Sequence, residues 1–214
     1  KFEWSVDAKM SNSSKTSTPR ESKESKDEME VKVSDLPMVF KVKYLGKQKG
    51  NGLWGIKHTR KPVDKMVAAA KEMAPGKVLP ICNLTVTLDA IILETIPNKI
   101  TEYRKWVHNV DTISYGVQDI VYSRVFSIIL VNEESVRSPF EVEAFVCDSR
   151  AMARRLTFAL AAAFQDYSRR LQETESQEAN DGKTGKTTVR KKFAIDLRTA
   201  EEMASELQEQ ETDA

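Results

Sequence analysis

Residues 140–164 read FEVEAFVCDSRAMARRLTFALAAAF, and this stretch joins a strand-like segment to a helical one. Apolar residues dominate 140–146, as they do in a buried strand. Asp148-Ser149 then offers a helix N-cap, and the apolar positions downstream recur at the spacing of one helical face. The stretch therefore predicts a final strand followed by one long helix, spanning about 149–171, which would cover the open end of a sheet. The apolar positions on that face are Met152, Leu156, Ala159, Leu160, Ala163, Phe164 and Tyr167.

Upstream of this stretch, short strand-like runs recur about every ten residues with turn residues between them. Residues 40–44 alternate Phe, Val and Tyr with lysines, which is the period of a half-buried strand, and Leu45-Gly46 would end it. Pro62 marks the expected start of a helix over about 62–73, which Pro75-Gly76 would stop. This order predicts an α+β domain, a seven-stranded antiparallel sandwich or barrel with an extra helix after the first strand and a C-terminal helix as its cap. The other predicted strands lie in 84–88, 91–93, 103–107, 112–117 and 125–131.

The two ends of the chain differ in composition from the middle. Residues 1–35 are rich in Ser, Thr, Lys and Glu, so we expect a disordered segment, either a tether for phosphorylation or a plain solubilising linker. Residues 172–214 are predicted to be a charged linker and an acidic tail. A thin apolar stripe there (Ala200, Met203, Leu207) supports only a short, marginal helix. The ordered domain is thus expected to span 36–171.

Composition favours a cytoplasmic protein. Hydrophobic residues make up 40% of the chain, which suffices for one core, and the net charge is only +1. Cys82 and Cys147 each lie inside an apolar run, so we expect buried thiols rather than a disulfide. No window approaches the ~20 apolar residues of a membrane span, and we recognise no signal-peptide core.

Motifs for enzyme chemistry are incomplete. Residues 185–187 resemble the end of a phosphate-binding loop, but Asn180 stands where its first glycine is required. His58 and His108 have no further ligands at metal-binding spacing, and nothing near Cys147 would activate its thiol. We therefore expect no catalytic residue, no metal and no cofactor. We also expect no nucleic-acid binding, because aromatic residues do not interleave with the basic ones.

Four motifs, in order, resemble the phosphotyrosine-binding (phosphotyrosine-interaction) domain family, PTB or PID, and in particular its Disabled, Numb, ARH and engulfment-adaptor subgroup. They are residues 40–46 (FKVKYLG), residues 112–119 (TISYGVQD), Phe126 with Ile128 and Ile129, and the strand and helix at 140–164. The resemblance as a whole covers about 135 residues of the chain. The resemblance implies a pleckstrin-homology-like fold, with two nearly orthogonal sheets capped by the C-terminal helix.

For function, the resemblance implies an adaptor that binds short Asn-Pro-x-Tyr (NPxY) motifs in the cytoplasmic tails of receptors. The peptide would add as an antiparallel strand to an exposed edge of the fifth strand and lie against the helix. The alternative interpretation is that Ile113, Leu160 and Phe164 are core residues. No arginine is assigned to grip a phosphate, so we prefer binding that tolerates unphosphorylated tyrosine. The resemblance places the peptide site at Ile113, Ser114, Tyr115, Gly116, Val117, Thr157, Leu160 and Phe164.

Positive charge concentrates between Pro37 and Lys71, where nine basic residues face the single acid Asp64. The resemblance implies a phosphoinositide head-group site here, separate from the peptide site, and basic residues near an anionic leaflet contribute about 1 kcal/mol each. The other interpretation is a solvated face balanced by acidic residues folding over it, including the acidic tail. The candidate lipid-binding residues are Lys47, Lys49, Lys57, Arg60, Lys61 and Lys65.

Three functional hypotheses therefore remain at this point. The first is a monomeric peptide-binding adaptor that is recruited to the plasma membrane. The second is a pleckstrin-homology-like phosphoinositide-binding module with little peptide binding. The third is a structural domain occluded by its own tails.

Overall fold

The computed structural model describes residues 30–132, 139–180 and 194–212. Most of the predicted disordered segment at 1–35 lies outside these residues, as does part of the predicted linker. The described ranges contain eight strands and three α-helices. In chain order these are β1 (Met38–Lys49), α1 (Ile56–Lys71), β2 (Ile81–Val86), β3 (Ala90–Thr95), β4 (Lys105–Asn109), β5 (Ile113–Gln118), β6 (Val125–Val131), β7 (Phe140–Cys147), α2 (Arg150–Asn180), β8 (Ala194–Asp196) and α3 (Ala200–Thr212).

The strands form one continuous sheet in the order β4-β3-β2-β1-β7-β6-β5-β8. Every pair among the first seven strands is antiparallel. β1 belongs to both halves of the sheet, since Met38 to Lys43 pair with β2 and the part from Val42 to Lys49 pairs with β7. The predicted α+β architecture is confirmed, with seven antiparallel strands, a helix after the first strand and a long C-terminal helix. The eighth strand is an addition to it.

β1 does not end at Leu45-Gly46, so that prediction is wrong. The pairing register with β7 shifts between Tyr44 and Gly46, which is a β-bulge, and the strand continues beyond it. Gly46 has φ +127°, a conformation that favours glycine. The glycine therefore bends the strand from one half-sheet into the other instead of terminating it.

Helix α1 begins at Ile56, six residues before the proline that was predicted to start it. Ile56 and Thr59 are fully buried, and the Thr59 hydroxyl donates a 3.0 Å hydrogen bond to the Ile56 carbonyl. Pro62 lies inside the helix and removes one backbone donor there. The free energy gained by burying the first turn outweighs the loss of that backbone hydrogen bond. Such burial depends on the tertiary structure, so a local sequence pattern does not reveal it.

Two apolar clusters lie on opposite sides of the sheet region. The first packs α2, through residues such as Leu156 and Leu160, against strands of both half-sheets. The second packs α1 against β5, β6 and β7 and includes Met203 of α3. Cys82 and Cys147 are free and buried in the first cluster, as predicted.

The C-terminal part of the chain is more ordered than expected. Helix α2 continues to Asn180 rather than ending near 171. Residues 194–212 form β8 and α3 on the domain, whereas a linker and a marginal tail were expected; Met203 is 2% exposed. The thin apolar stripe of Ala200, Met203 and Leu207 is enough to stabilise helix α3, because the helix packs on an existing core instead of standing alone. Within the described ranges, no helix is both long and apolar enough to cross a membrane.

Candidate functional site

The predicted site strand, β5, lies between two neighbours. On one side it pairs with β6, and on the other Tyr115, Gly116 and Val117 pair in parallel with Ala194, Ile195 and Asp196. All six residues of β5 are buried. The expectation of an exposed β5 edge is therefore wrong for this structure, because the chain's own β8 occupies that edge.

Gly116 forms a seat for an aliphatic side chain. A β-carbon built on it would lie 2.8 Å from Cδ1 of Ile195 and 2.9 Å from Cδ2 of Leu160. Both distances are shorter than real contacts allow, so the missing side chain lets Ile195 reach the wall formed by α2. The groove between β5 and α2 is thus filled by Ile195.

The polar end of this contact is Asp196. The Tyr115 hydroxyl donates a 2.8 Å hydrogen bond to its Oδ2, and Arg198 donates from Nε to Oδ1 at 2.8 Å and from Nη2 to Oδ2 at 2.6 Å. Burial alone would raise the pKa of Asp196, but the hydrogen bonds from Arg198 and Tyr115 hold that pKa below its ordinary value. The group is therefore a charged acceptor matched to its donors.

Arg154 of α2 secures the chain that follows β8. Its guanidinium donates to the carbonyl of Arg198 at 3.1 Å and also to the carbonyl of Leu197. The same guanidinium lies 5.0 Å from the Phe158 ring centroid. A side chain of α2 thus holds the backbone that follows β8.

Helix α3 then anchors the segment on the other side of the sheet. Thr199 and Glu202 form a capping box, with the Thr199 amide donating to Glu202 Oε2 at 2.7 Å and the Glu202 amide donating to Thr199 Oγ1 at 3.3 Å. Met203 is buried in the second cluster, and Leu207 packs against it. We call residues 194–207, from β8 to Leu207, the C-terminal segment.

The remaining predicted peptide-site residues are buried within the domain. Ile113 and Val117 are fully buried, and Phe164 is 6% exposed in the first cluster. The Ser114 hydroxyl donates to the Leu53 carbonyl at 2.7 Å, and the Thr157 hydroxyl donates to the Ala153 carbonyl at 2.9 Å. Of the predicted residues, Tyr115, Gly116 and Val117 pair with the C-terminal segment, and Leu160 lies beside the Gly116 seat that Ile195 occupies.

Arg60, one of the predicted lipid-binding residues, is engaged inside the domain. Its guanidinium binds Asp119 Oδ2 and Asp64 Oδ1, each at 2.5 Å, and lies 5.4 Å from the Tyr122 ring centroid. Asp119 also accepts from the amides of Val121 and Tyr122, at 2.8 and 2.7 Å. Burial raises the pKa of Asp119 even though Arg60 acts to lower it. This pair joins α1 to the turn after β5, and local sequence pattern does not reveal it.

The predicted lysines fall into two sets. Lys57, Lys61 and Lys65 are exposed and follow one another at four-residue spacing, so they share one face of α1. Lys47 and Lys49 are exposed near the end of β1, where Lys47 Nζ lies 3.1 Å from Glu141 Oε2. The α1 lysines thus form a continuous basic face, which we call the α1 lysine face.

A second depression, of about 910 Å³, opens among β1, β4 and β7. Its wall includes Tyr44, whose ring packs edge-on to Trp106, and His108, whose Nε2 lies 3.0 Å from Glu143 Oε2. Burial and the adjacent Glu143 raise the pKa of the Tyr44 hydroxyl. Among the residues that the structure describes, no cluster of three or more His, Cys, Asp or Glu side chains could hold a metal ion.

Sequence reasoning missed the C-terminal segment and Arg154. The available signal was weak, since Phe193, Ala194 and Ile195 are only a short apolar run within a charged stretch. A three-residue strand shows no reliable period of two. Its partner strand is about eighty residues away, so local pattern could not connect them.

Comparison with known proteins finds similar sequences over 129 residues of the chain. No family model matches the chain. Low density lipoprotein receptor adapter protein 1 from Homo sapiens is 31% identical over 129 residues, covering 60% of this chain and 39% of that protein, and the Mus musculus protein gives the same values. Adapter protein 1-B from Xenopus laevis is 32% identical over the same length. The alignment thus spans about two fifths of the length of the curated relatives.

Among solved structures, the C-terminal phosphotyrosine interaction domain of APBB2 from mouse is similar with a TM-score of 0.45 and 19% identity. That match covers 71% of this chain and 95% of the other. The strand order with its C-terminal helix and the 129-residue similarity agree with the motifs in the sequence. The predicted resemblance to the phosphotyrosine-binding domain family is therefore confirmed.

Proposed function

We propose that the groove between β5 and α2 docks short extended peptides, of the NPxY kind found in receptor tails, by adding them to the edge of the sheet. The observation that carries this proposal is that β8 already lies along β5 as an added strand, with Ile195 seated on Gly116. A groove that accepts one extended segment offers the same backbone donors and acceptors to another. The relatives' name, adapter of the low density lipoprotein receptor, agrees with a role in receptor binding.

Affinity and specificity come from different parts of this groove. The β5 backbone supplies hydrogen bonds to any extended chain, while the Gly116 seat and the α2 wall select side chains. The proposed ligand runs antiparallel to β5, opposite to β8, and places an apolar residue against the wall at Leu160 and Phe164. The protein then acts by bringing partners together at the cytoplasmic side of a membrane, with no chemistry of its own.

A peptide titration with a groove variant tests this function. Paired phosphorylated and unphosphorylated NPxY peptides are titrated into the full chain and into Phe164→Ala. Loss of a buried Phe contact of roughly 2–3 kcal/mol predicts a thirty- to hundredfold weaker affinity, since about 1.4 kcal/mol is tenfold. Phe140→Ala is the matched control, because Phe140 packs against the second cluster, away from the groove.

Unfolding must be measured on the same samples, because Phe164 is also a core residue. Variants that remain folded, with weak binding in Phe164→Ala and normal binding in Phe140→Ala, support the groove assignment. Normal binding by a folded but less stable Phe164→Ala variant contradicts it. Equal affinities for the two members of a peptide pair would indicate that the groove tolerates unphosphorylated tyrosine.

A second, separate role is recruitment to phosphoinositide-containing membranes. The α1 lysine face favours it, because three exposed cations on one helix face can approach a flat anionic surface together. Lys47 and Lys49 remain candidates, whereas Arg60 is excluded from the proposal by its bonds to Asp119 and Asp64. The alternative, a lipid module with little peptide binding, predicts membrane binding by a chain that binds none of the peptides.

A further inference from the structure

The C-terminal segment contacts both sides of the domain. At its start, Ile195 fills the groove and Asp196 is held by Tyr115. At its other end, Met203 is buried in the cluster beneath α1. A segment held by chance on a surface would not bury residues at both of these separate places, so these contacts define a specific docking mode.

The docked strand and an external peptide need the same atoms. The outer edge of β5 offers one row of backbone donors and acceptors, and residues Tyr115, Gly116 and Val117 of that row are paired with β8. The seat above Gly116 has room for one aliphatic side chain, since Ile195 already approaches within 2.8 Å of the position of an added β-carbon. Occupation by β8 and by a second strand is mutually exclusive.

We infer that the C-terminal segment is an intramolecular ligand of this groove, and that an external peptide binds only when the segment has been released. The inference rests on the proposed peptide-binding function. The contact is suited to release, because β8 pairs through only three residues and Ile195 is only partly buried. Its ligand chemistry is an aliphatic side chain for the Gly116 seat and a carboxylate for the Tyr115 hydroxyl.

Tethering explains how so short a strand competes. A linked ligand acts at an effective concentration of about millimolar, so weak contacts suffice to keep it bound. If the released form is about 1–10% populated, the apparent affinity for an external peptide is lowered ten- to a hundredfold. Variants that weaken docking of the segment should regain this lost affinity for an external peptide.

Two variants of the full chain weaken the segment at different places. Ile195→Asp puts a charge into the seat, and Met203→Asp puts one into the second cluster without touching the groove. Leu197→Asp is the matched control, since it makes the same kind of change in the same segment at an exposed side chain. Hydrogen exchange at 194–207 reports docking, and titration with the NPxY peptides reports the groove.

We expect slow exchange at 194–207 in the unmodified chain and in Leu197→Asp, and fast exchange in the other two variants. Their affinity for an NPxY peptide should rise at least about tenfold. A synthetic peptide of residues 194–207 should bind Ile195→Asp and be excluded from the unmodified chain. Gain of affinity in Met203→Asp is the decisive result, because its groove residues are unchanged.

The outcomes separate this inference from the proposed function. Fast exchange at 194–207 in the unmodified chain, or released variants with unchanged peptide affinity, overturns the intramolecular ligand while peptide binding stands. If no NPxY peptide binds any chain but the 194–207 peptide binds Ile195→Asp, the proposed function fails and the intramolecular ligand is supported. If the Met203→Asp chain unfolds, the peptide affinity of Ile195→Asp and its binding of the synthetic 194–207 peptide decide whether the segment is an intramolecular ligand.

Discussion

The hydroxyl of Tyr115 donates a 2.8 Å hydrogen bond to Oδ2 of Asp196, joining residues 81 positions apart in the sequence. Both side chains are buried, and Arg198 holds the same carboxylate. The bond therefore fastens the C-terminal segment to the strand that forms the groove. Because the Asp196 carboxylate takes up a proton in acid, the docked state is linked to pH.

Acid should release the C-terminal segment. The pKa of Asp196 in the folded chain lies below its ordinary value of 3.8, so its carboxylate stabilises docking above that pH. This stabilisation is lost as pH falls through the lower, folded value. Tyr115 faces the carboxylate from β5, Arg154 from α2, Arg198 from its own loop and Glu202 from α3.

The measurement is the methyl NMR signal of Ile195, followed from about pH 7 to about pH 3. We expect it to remain at its docked position down to about pH 4 and to move toward the released position below that. Asp196→Asn is the control, because it keeps the size of the side chain and removes this ionisation. Identical titration curves for the two chains would show that another group controls docking.

Sequence pattern located the strands where the pattern was long and regular. The run at 125–131 matches β6, and the apolar stripe from Met152 to Tyr167 lies within α2. It failed where tertiary contacts decide, as at Gly46, where a bulge continues a strand, and at Pro62, which lies inside a helix. These outcomes depend on burial elsewhere in the fold, which a local window does not contain.

The candidate site was predicted only in part for a similar reason. The resemblance pointed to residues 113–117 and to the α2 wall, and the structure places Tyr115, Gly116 and Leu160 against an added strand. The added strand belongs to the chain itself, but it has only three residues. So short a strand shows no periodic pattern from which it could be predicted. A pairing between distant positions becomes visible only after the chain has folded.

Gly116→Ala should close the groove to any added strand. The new methyl group would lie within 3 Å of side-chain atoms of Ile195 and Leu160. Leu160 is fully buried in a close-packed cluster, so Ile195 is the side chain that gives way. We expect fast hydrogen exchange at 194–207 and a loss of stability of about 1–3 kcal/mol, as overpacking usually costs.

The same variant should also bind NPxY peptides poorly, which distinguishes it from Met203→Asp. The double change Gly116→Ala with Ile195→Ala tests the cause, because the smaller residue makes room for the new methyl group. Non-additive stability effects in urea unfolding are expected for two groups in direct contact. Strictly additive effects, or undisturbed docking in Gly116→Ala, would contradict the assigned seat.

The ion pair between Arg60 and Asp119 should contribute to folding rather than to lipid binding. Asp119→Ala leaves the guanidinium and two backbone amides without this acceptor. Removing one partner of a buried pair costs about 3–5 kcal/mol. For a domain of this size the melting temperature should fall by roughly 6–20 °C, measured by circular dichroism.

Lys47→Ala is the control for this prediction, because its pair with Glu141 is largely exposed. An exposed pair contributes at most about 1 kcal/mol, so this variant should melt within a few degrees of the unmodified chain. Equal effects of Asp119→Ala and Lys47→Ala would show that Asp119 does not hold α1 in place.

Reversing the charge of the α1 lysine face should abolish membrane binding and spare peptide binding. In the triple variant, Lys57, Lys61 and Lys65 are each changed to Glu. Three lysines near an anionic leaflet contribute about 3 kcal/mol, so affinity should fall at least about a hundredfold. The measurement is sedimentation with phosphatidylcholine vesicles that contain phosphatidylinositol bisphosphate, compared with phosphatidylcholine alone.

The matched control changes three exposed lysines in other segments, Lys32, Lys77 and Lys99, to Glu, which alters the net charge equally. Because exposed charges contribute little to folding, both variants should melt close to the unmodified chain.

If both variants lose vesicle binding to the same extent, total charge rather than the α1 lysine face is responsible. If the α1 variant still sediments with the phosphoinositide vesicles at physiological salt, these lysines are a solvated face, and membrane recruitment requires another surface. Peptide affinity that falls together with vesicle binding would contradict two separate sites, because the groove lies between β5 and α2 and contains none of these lysines.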